Sequence, residues 1–269
     1  MPEYMEENLE MPLRDVLVLM QNRIMKESKY FGVPALMSPT DSWVYQEIIH
    51  ETKPDVIIEI GNSRGGGLLY YAHLCDLLGS GRVIGIDISH NRVPDTVRNH
   101  QRVTLIEGDA CDRFPDVYKL IPEQDRVLVI EDSSHTYENT LNILRLYSTF
   151  VKPGDYFIVE DGICHHGLSL GPKPGPYEAT GAFLAENSDF KLERSRESFL
   201  ITWNPKGYLR RISDSQEKSA KLRNLHQRSG SGRSRLLSRL GRIVWFLTPP
   251  ILYRIFQVIF RTMRSRRSV

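Results

Sequence analysis

Five short runs dense in Val and Ile recur between helix-length amphipathic stretches: "DVIIEIG" (55–61), "RVIGIDI" (82–88), "RVTLIEG" (102–108), "RVLVIED" (126–132) and "DYFIVED" (155–161). Near-continuous apolar runs of this length read as strands buried on both faces, and their alternation with helices predicts a doubly wound, mostly parallel α/β sheet. The intervening "GGGLLYYAHLCDLLGSG" and "SHTYENTLNILRLYSTFVKPG" have apolar positions at helical spacing and a Gly stop, the second with Pro153 just before it. A last run, "SFLITWN" (198–204), follows "DFKLERS" and predicts an antiparallel hairpin at the sheet edge. Upstream, residues 12–28 and 41–51 read as helices that cover an edge of the sheet or roof its site, the second starting at a Ser-Pro-Thr-Asp cap.

Length and charge bound the rest. A chain of 269 residues supports one well-buried domain with an appendage. Cys75, Cys111 and Cys164 are widely spaced and odd in number, and "MPEYMEENLEMPL" lacks the basic-then-apolar layout of a secretory signal. The expectation is a cytoplasmic protein with reduced thiols. The net charge of +2 conceals an asymmetry: thirteen Lys/Arg against Asp214 and Glu217 give the last segment +11, which leaves residues 1–213 at −9. The chain therefore divides into a helical cap (1–53), a sheet domain (54–212), a polar linker (213–235) and a basic tail (236–269). In the tail, 13 of the 18 residues from Ile243 to Phe260 are apolar, but Pro249, Pro250 and Arg254 interrupt any span. Arg254, Gln257 and Arg261 line one side of a helix whose other side is apolar, which fits an interfacial helix on an anionic membrane surface, peripheral on the inner face. Packing against the body or a second copy, in a homo-oligomer, is the other reading. No nucleic acid is expected, because aromatic interleaving is slight.

In an open α/β sheet, ligands bind at the carboxyl ends of the strands where strand order reverses. The first run ends "EIGNSRGGG", in which Gly61, Gly65 and Gly66 allow a tight turn and close approach of a ligand to a helix N-terminus. Asp87 ends the second run 26 residues after Gly61, about the distance at which an acid reaches ribose hydroxyls. Asp109, after the third run, is placed to accept from an adenine amino group. Asp132 ends the fourth run, and Glu160 and Asp161 end the fifth. Three carboxylates at neighbouring strand ends repel unless a cation, a shared proton or water intervenes. Hard oxygen ligands suit Mg²⁺ or Mn²⁺, and His135, three residues after Asp132, is placed as a general base.

The motif E-x-G-x-x-x-G-G, an acid ending the second strand and E-G-D ending the third resemble the cofactor half of a class I S-adenosylmethionine-dependent methyltransferase. More specifically, "YFGVPALMSPTDSWVYQEII", "EIGNSRGGGLLYYAHL", "GRVIGIDI", "EDSSHTYENTLNILRLY" and "GDYFIVEDG" resemble the cephalosporin hydroxylase/rhamnosyl O-methyltransferase family over about residues 30–211. The resemblance implies a Rossmann-like fold with a seven-stranded sheet, S-adenosyl-L-methionine as cofactor, and a cofactor set of Glu59, Gly61, Arg64, Gly65, Gly66, Asp87, Ile88, Gly108, Asp109, Ala110 and Asp132. It implies Asp132, Glu160 and Asp161 as metal ligands and His135 as the catalytic base.

The expected function is Mg²⁺-dependent O-methylation of a hydroxyl on a small-molecule or glycan acceptor, such as the sugar of a glycolipid or lipid-linked glycan. A methyltransferase or hydroxylase-type enzyme for a non-sugar natural product, or a non-catalytic membrane-docked cofactor-binding protein, are the alternatives. Cys164, His165 and His166 do not predict zinc, because three consecutive side chains cannot easily turn to one tetrahedral centre. They open a loop continued by "GLSLGPKPGPYEA", a length typical of a functional lid. Tyr30, Phe31, His166 and Tyr177 are the expected substrate contacts.

Overall fold

The computed structural model describes residues 4–213. The readings of the tail, and of the linker beyond Ser213, fall outside the described residues. The N-terminal part comprises α1 (Leu13–Glu27), a ladder of β1 (Lys29–Tyr30) with β2 (Val33–Pro34), and α2 (Pro39–Thr52). Pro39 opens α2, where a missing N–H costs nothing. Its buried Val44, Tyr45, Ile48 and Ile49 form one face by 3.6-residue periodicity. Asp41, expected within the cap, instead turns into the interior and is 3% exposed.

The sheet domain then runs through β3 (Val56–Ile60), α3 (Gly66–Leu78), β4 (Arg82–Asp87), α4 (Asp95–Arg98), β5 (Val103–Glu107), α5 (Ala110–Leu120), β6 (Val127–Glu131), α6 (Tyr137–Tyr147), β7 (Tyr156–Val159), α7 (Pro176–Glu186), β8 (Phe190–Leu192) and β9 (Tyr208–Arg211). Seven strands form one sheet in the order β5-β4-β3-β6-β7-β9-β8. β3 through β7 pair in parallel, and β9 runs antiparallel to β7 and β8. Every residue of β3, β6 and β7 is buried, whereas β5, read as buried on both faces, is half exposed because it forms the edge.

Alternate strand residues feed two cores. Ile57, Leu128 and Ile158 pack with α2 and α3, and Ile58, Val129 and Phe157 pack with α5, α6 and α7. Chain connections leave β3 in opposite directions, to β4 on one side and eventually to β6 on the other, so the crevice between β3 and β6 opens at their carboxyl ends.

The edge hairpin differs from expectation. Its outer strand is Phe190–Leu192 and its partner is Tyr208–Arg211, while residues 198–204 form a loop. The apolar character of "FLITW" comes from packing rather than strand pairing: Trp203 sits in a small core with Leu17, Ile24, Ile163 and Leu168. Phe199 and Leu200 lie open to solvent.

The glycines after β3 meet protein rather than empty space. A Cβ on Gly61 would stand 2.0 Å from the Asp132 carbonyl oxygen, and one on Gly66 would stand 2.4 Å from the Pro34 carbonyl oxygen. Gly61 also has φ +90°, which disfavours any L side chain. Gly61→Ala should therefore destabilise the protein by about 2–4 kcal/mol in urea unfolding, combining a left-handed-backbone penalty with steric overlap.

Candidate active site

Five carboxylates gather where the central strands end. Glu59 lies near the end of β3, Glu131 ends β6 with Asp132 just after it, and Glu160 and Asp161 follow β7. The ladder continues one step past the strands through Asp132 N–H to the Ile60 carbonyl and Glu160 N–H to the Glu131 carbonyl, fixing these acids at neighbouring heights. Glu131 is fully buried and accepts from Ser133 and from Thr140 Oγ1. Glu59 is 5% exposed and accepts from Asn62 Nδ2 at 3.1 Å. These partners soften the cost of burying charge but do not remove it.

The titrations follow from that crowding. Burial, reinforced by Glu160, Asp161, Glu59 and Glu131, raises the Asp132 carboxyl well above the usual carboxylate range. Burial likewise raises Glu160, against the Tyr45 hydrogen bond that lowers it. Asp161 is raised by burial and pulled down by His135. Glu59 is pushed up to about 8, mainly by burial, with Asn62 opposing and Asp87 adding to the rise.

Asp132, His135 and Asp161 come together: one ligand atom from each falls within 4.8 Å of the others. His135 Nε2 lies 3.2 Å from Asp161 Oδ2 and 4.0 Å from Asp132 Oδ1. Both His135 (φ 55°) and Asp161 (φ 56°) hold left-handed backbone conformations, the kind of strain that collects at functional sites. His135 Nδ1 is buried without a hydrogen-bond partner among the described residues. The donor set of carboxylates with one imidazole fits a divalent cation, whose charge would relieve the mutual repulsion of the acids.

Glu160 belongs to a different arrangement. It stands outside that triangle, and its Oε1 accepts from Tyr45 Oη at 2.8 Å. Asn204 Nδ2 donates in turn to Tyr45 Oη, and Asn204 Oδ1 accepts the Asp161 N–H. Beneath this, Asp41 accepts from Thr202, the Trp203 N–H and Tyr208 Oη. Sequence reasoning missed Tyr45, Asn204 and Asp41. Tyr45 meets Glu160 across 115 residues, a contact that no local spacing signals, and Asn204 lay hidden in a segment read as strand.

On the other side, Asp87 Oδ2 accepts the Asn62 and Ser63 N–H groups at 2.7 and 3.0 Å, so this acid shapes the glycine turn while its other oxygen accepts from Ser89 N–H. Gly65 and Gly66 start α3, but their tight approach is to Val93 and to Pro34 and Ala35. Their small size thus serves protein packing, and Gly66 also lines the cavity at Asp132. Gly61, Asn62, Arg64, Glu59 and Asp132 line a narrow cavity roofed by Pro34, Leu36 and Met37. Ile88, 78% exposed, stands beside Asp87 as an open apolar surface. Asp109 caps α5 by accepting from the Cys111 and Asp112 N–H groups, with Ala110 as the first helical residue. Gly108 has φ +138° and lies under the Arg113 side chain.

Among the expected substrate contacts, Tyr30 Oη pairs with His73 Nδ1 at 3.3 Å, and Phe31 is exposed. His166 stacks on Tyr177 at 3.7 Å and bonds Glu178 at 2.7 Å, while Lys206 caps the Tyr177 ring at 4.0 Å. Tyr177 is thus engaged by its own chain. Cys164 is buried, and His165 bonds the Gly171 carbonyl, so the Cys-His-His run does not converge.

A family model described as rhamnosyl O-methyltransferase/CmcI matches residues 22–212. Curated relatives named rhamnosyl O-methyltransferase, from Mycobacterium bovis (strain BCG / Pasteur 1173P2) and Mycobacterium leprae (strain TN), are 32% and 30% identical over 195 residues. Each match covers 70% of this chain, and 80% and 85% of the respective relative. A solved CmcI structure with Mg and SAM superposes with a TM-score of 0.57 at 25% identity, covering 69% of this chain and 77% of that one. An apo CmcI structure gives 0.53 at 26% identity, covering 70% and 77%.

The raised carboxyls set a pH dependence. A folded-state value above the unfolded one means the folded protein holds the proton more tightly, so Glu59 contributes stability below the usual glutamate value that is lost as pH rises from 4.5 through about 8. Urea unfolding of metal- and cofactor-free protein should show stability falling over that range, and Glu59→Gln should remove about 3–5 kcal/mol of the fall.

Proposed function

Because this chain belongs to the rhamnosyl O-methyltransferase/CmcI family, we propose that it methylates a sugar hydroxyl, with S-adenosylmethionine as donor and Mg²⁺ or Mn²⁺ held by Asp132 and Asp161 of the triangle and, as the family resemblance implies, by Glu160 beside it. The observation that carries the reading is the convergence of Asp132, His135 and Asp161 beside the turn between β3 and α3. S-adenosylmethionine supplies an electrophilic methyl group, and a divalent cation can lower an alcohol pKa by several units from a value of ~16.

The chain's own residues do the rest. Asp87 and Ile88 offer a carboxylate and an apolar face for a ribose and a base, and Asp109 and Ala110 offer the end of the next strand. Glu59, Arg64 and Asp132 surround the cavity that would take the amino-acid end. His135 accepts the proton of the attacking hydroxyl at Nε2, the ring nitrogen that faces Asp161 at 3.2 Å and Asp132 at 4.0 Å, since Nδ1 is buried. Tyr45 and Asn204 hold Glu160 and Asp161 against their mutual repulsion. Holding the hydroxyl and methyl group at attack distance contributes much of the acceleration.

The acceptor sugar would belong to a glycolipid or lipid-linked glycan, with the basic tail meeting an anionic membrane surface. Among the described residues no helix is long and apolar enough to cross a membrane. The triangle itself favours a second role for His135, as a cation ligand. The two roles separate by experiment. His135→Ala should cut methyl transfer about 10²–10⁴-fold while leaving the calorimetric affinities for Mn²⁺ and S-adenosylhomocysteine unchanged. Lost Mn²⁺ affinity would make His135 a ligand, and transfer that survives full chelation would remove the cation from the reading.

A further inference from the structure

Beside the glycine turn lies a cleft of about 620 Å³ lined by Phe31, Pro34, Arg64, Arg92, Pro94 and Thr96 among others. Pro34 and Arg64 also line the narrow cavity at Asp132, so the two spaces adjoin. Its charge runs against that of its surroundings: residues 1–213 carry −9, yet the cleft has two arginines and no acid. Among the described residues neither guanidinium has a hydrogen-bond or ion-pair partner. The turn bearing Arg92 is held firmly. Arg98 donates to the carbonyls of His90 and Val93, His90 pairs with Asn62 at 3.0 Å, and Val93 and Val97 are buried against Gly65.

Phe31 breaks a local rule at the same place. It and Gly32 form the turn between β1 and β2 with φ 46° and 83°, the mirror-image pattern that favours Asn or Asp followed by Gly. A bulky aromatic in the left-handed region is strained, and this ring is also 80% exposed. Its edge contacts with Tyr30 and His73, at 5.0 and 5.2 Å between ring centroids, orient it without covering it. Strain and apolar exposure kept together at one residue indicate a surface that a ligand covers.

We propose that this cleft is an acceptor subsite for a sugar carrying an anionic group, phosphate or carboxylate, with the sugar ring on Phe31 and the anion on Arg92, Arg64 being shared with the cofactor cavity. Guanidinium forks bind such groups through paired, charge-assisted hydrogen bonds. The inference rests on the sugar O-methyltransferase reading and names its substrate class.

The full chain would be titrated with glucose, glucose 1-phosphate and glucuronate, with and without S-adenosylhomocysteine. At least one charged sugar should bind about tenfold more tightly than glucose, and the stronger arm tells phosphate from carboxylate. Arg92→Ala should erase that preference and leave S-adenosylhomocysteine affinity unchanged. Phe31→Asn should keep or raise Tm while weakening all three sugars. Equal binding of charged and neutral sugars by the wild type, or a preference that survives Arg92→Ala, overturns the subsite. A lowered Tm with unchanged sugar affinity makes Phe31 structural and overturns the platform. Failure to bind S-adenosylhomocysteine, with the Arg92-dependent preference intact, would instead sink the methyltransferase reading.

Discussion

Mutual repulsion among Glu59, Glu131, Asp132, Glu160 and Asp161 is the constraint around which this fold is arranged. Five acids at the ends of three adjacent strands would ordinarily be a defect, since each buried charge costs several kcal/mol unless neutralised or hydrogen-bonded. The chain assigns most of them a particular answer. Glu131 has Ser133 and Thr140, Glu59 has Asn62, Glu160 has Tyr45, and Asp161 has His135. Asp132 has the weakest provision, with His135 at 4.0 Å, and is among the carboxyls most strongly raised. A protein that leaves its central acid least satisfied keeps that position ready for a positive charge from outside.

The same constraint explains why the N-terminal segment cannot be separated from the sheet. The helix read from sequence as covering an edge of the sheet or roofing its site also holds the site's acids: α2 carries both Asp41 and Tyr45, and its polar side chains reach Thr202, Tyr208 and Glu160. The segment just before it seats Pro34 against Gly66. Hydrophobic packing through Val44, Ile48 and Ile49 fastens the helix, and the buried hydrogen bonds set where its polar groups stand.

The strands were legible because their signal is local. Val and Ile runs locate β3, β4, β6 and β7, and the acids closing the last three are Asp87, Asp132, Glu160 and Asp161. The edge was misread because "SFLITWN" has the composition of a strand but is apolar for another reason, the pocket that buries Trp203 among α1 and the loop after β7. The spacing of glycines in "EIGNSRGGG" reveals a tight approach without revealing the protein backbone that Gly61 and Gly66 meet. Tyr45, Asn204 and Asp41 left no trace at all, because a buried polar group is meaningful only beside a partner more than 150 residues away in the cases of Asn204 and Asp41.

Charge is partitioned over a short distance, and that partition bears on specificity. Acids occupy the strand ends, where burial raises their pKa, and Arg64 and Arg92 occupy the adjoining cleft, where they remain exposed. A neutral ligand spanning both would gain nothing from this separation. A cation at the acids and an anion at the arginines would each be favoured, and an acceptor bearing its negative group at one end would be turned so that its hydroxyl faces Asp132 and His135. Orientation of this kind discriminates among hydroxyls on one sugar ring without a dedicated contact to each, because the wrong registers would either leave the anion in water or bring it toward the carboxylates.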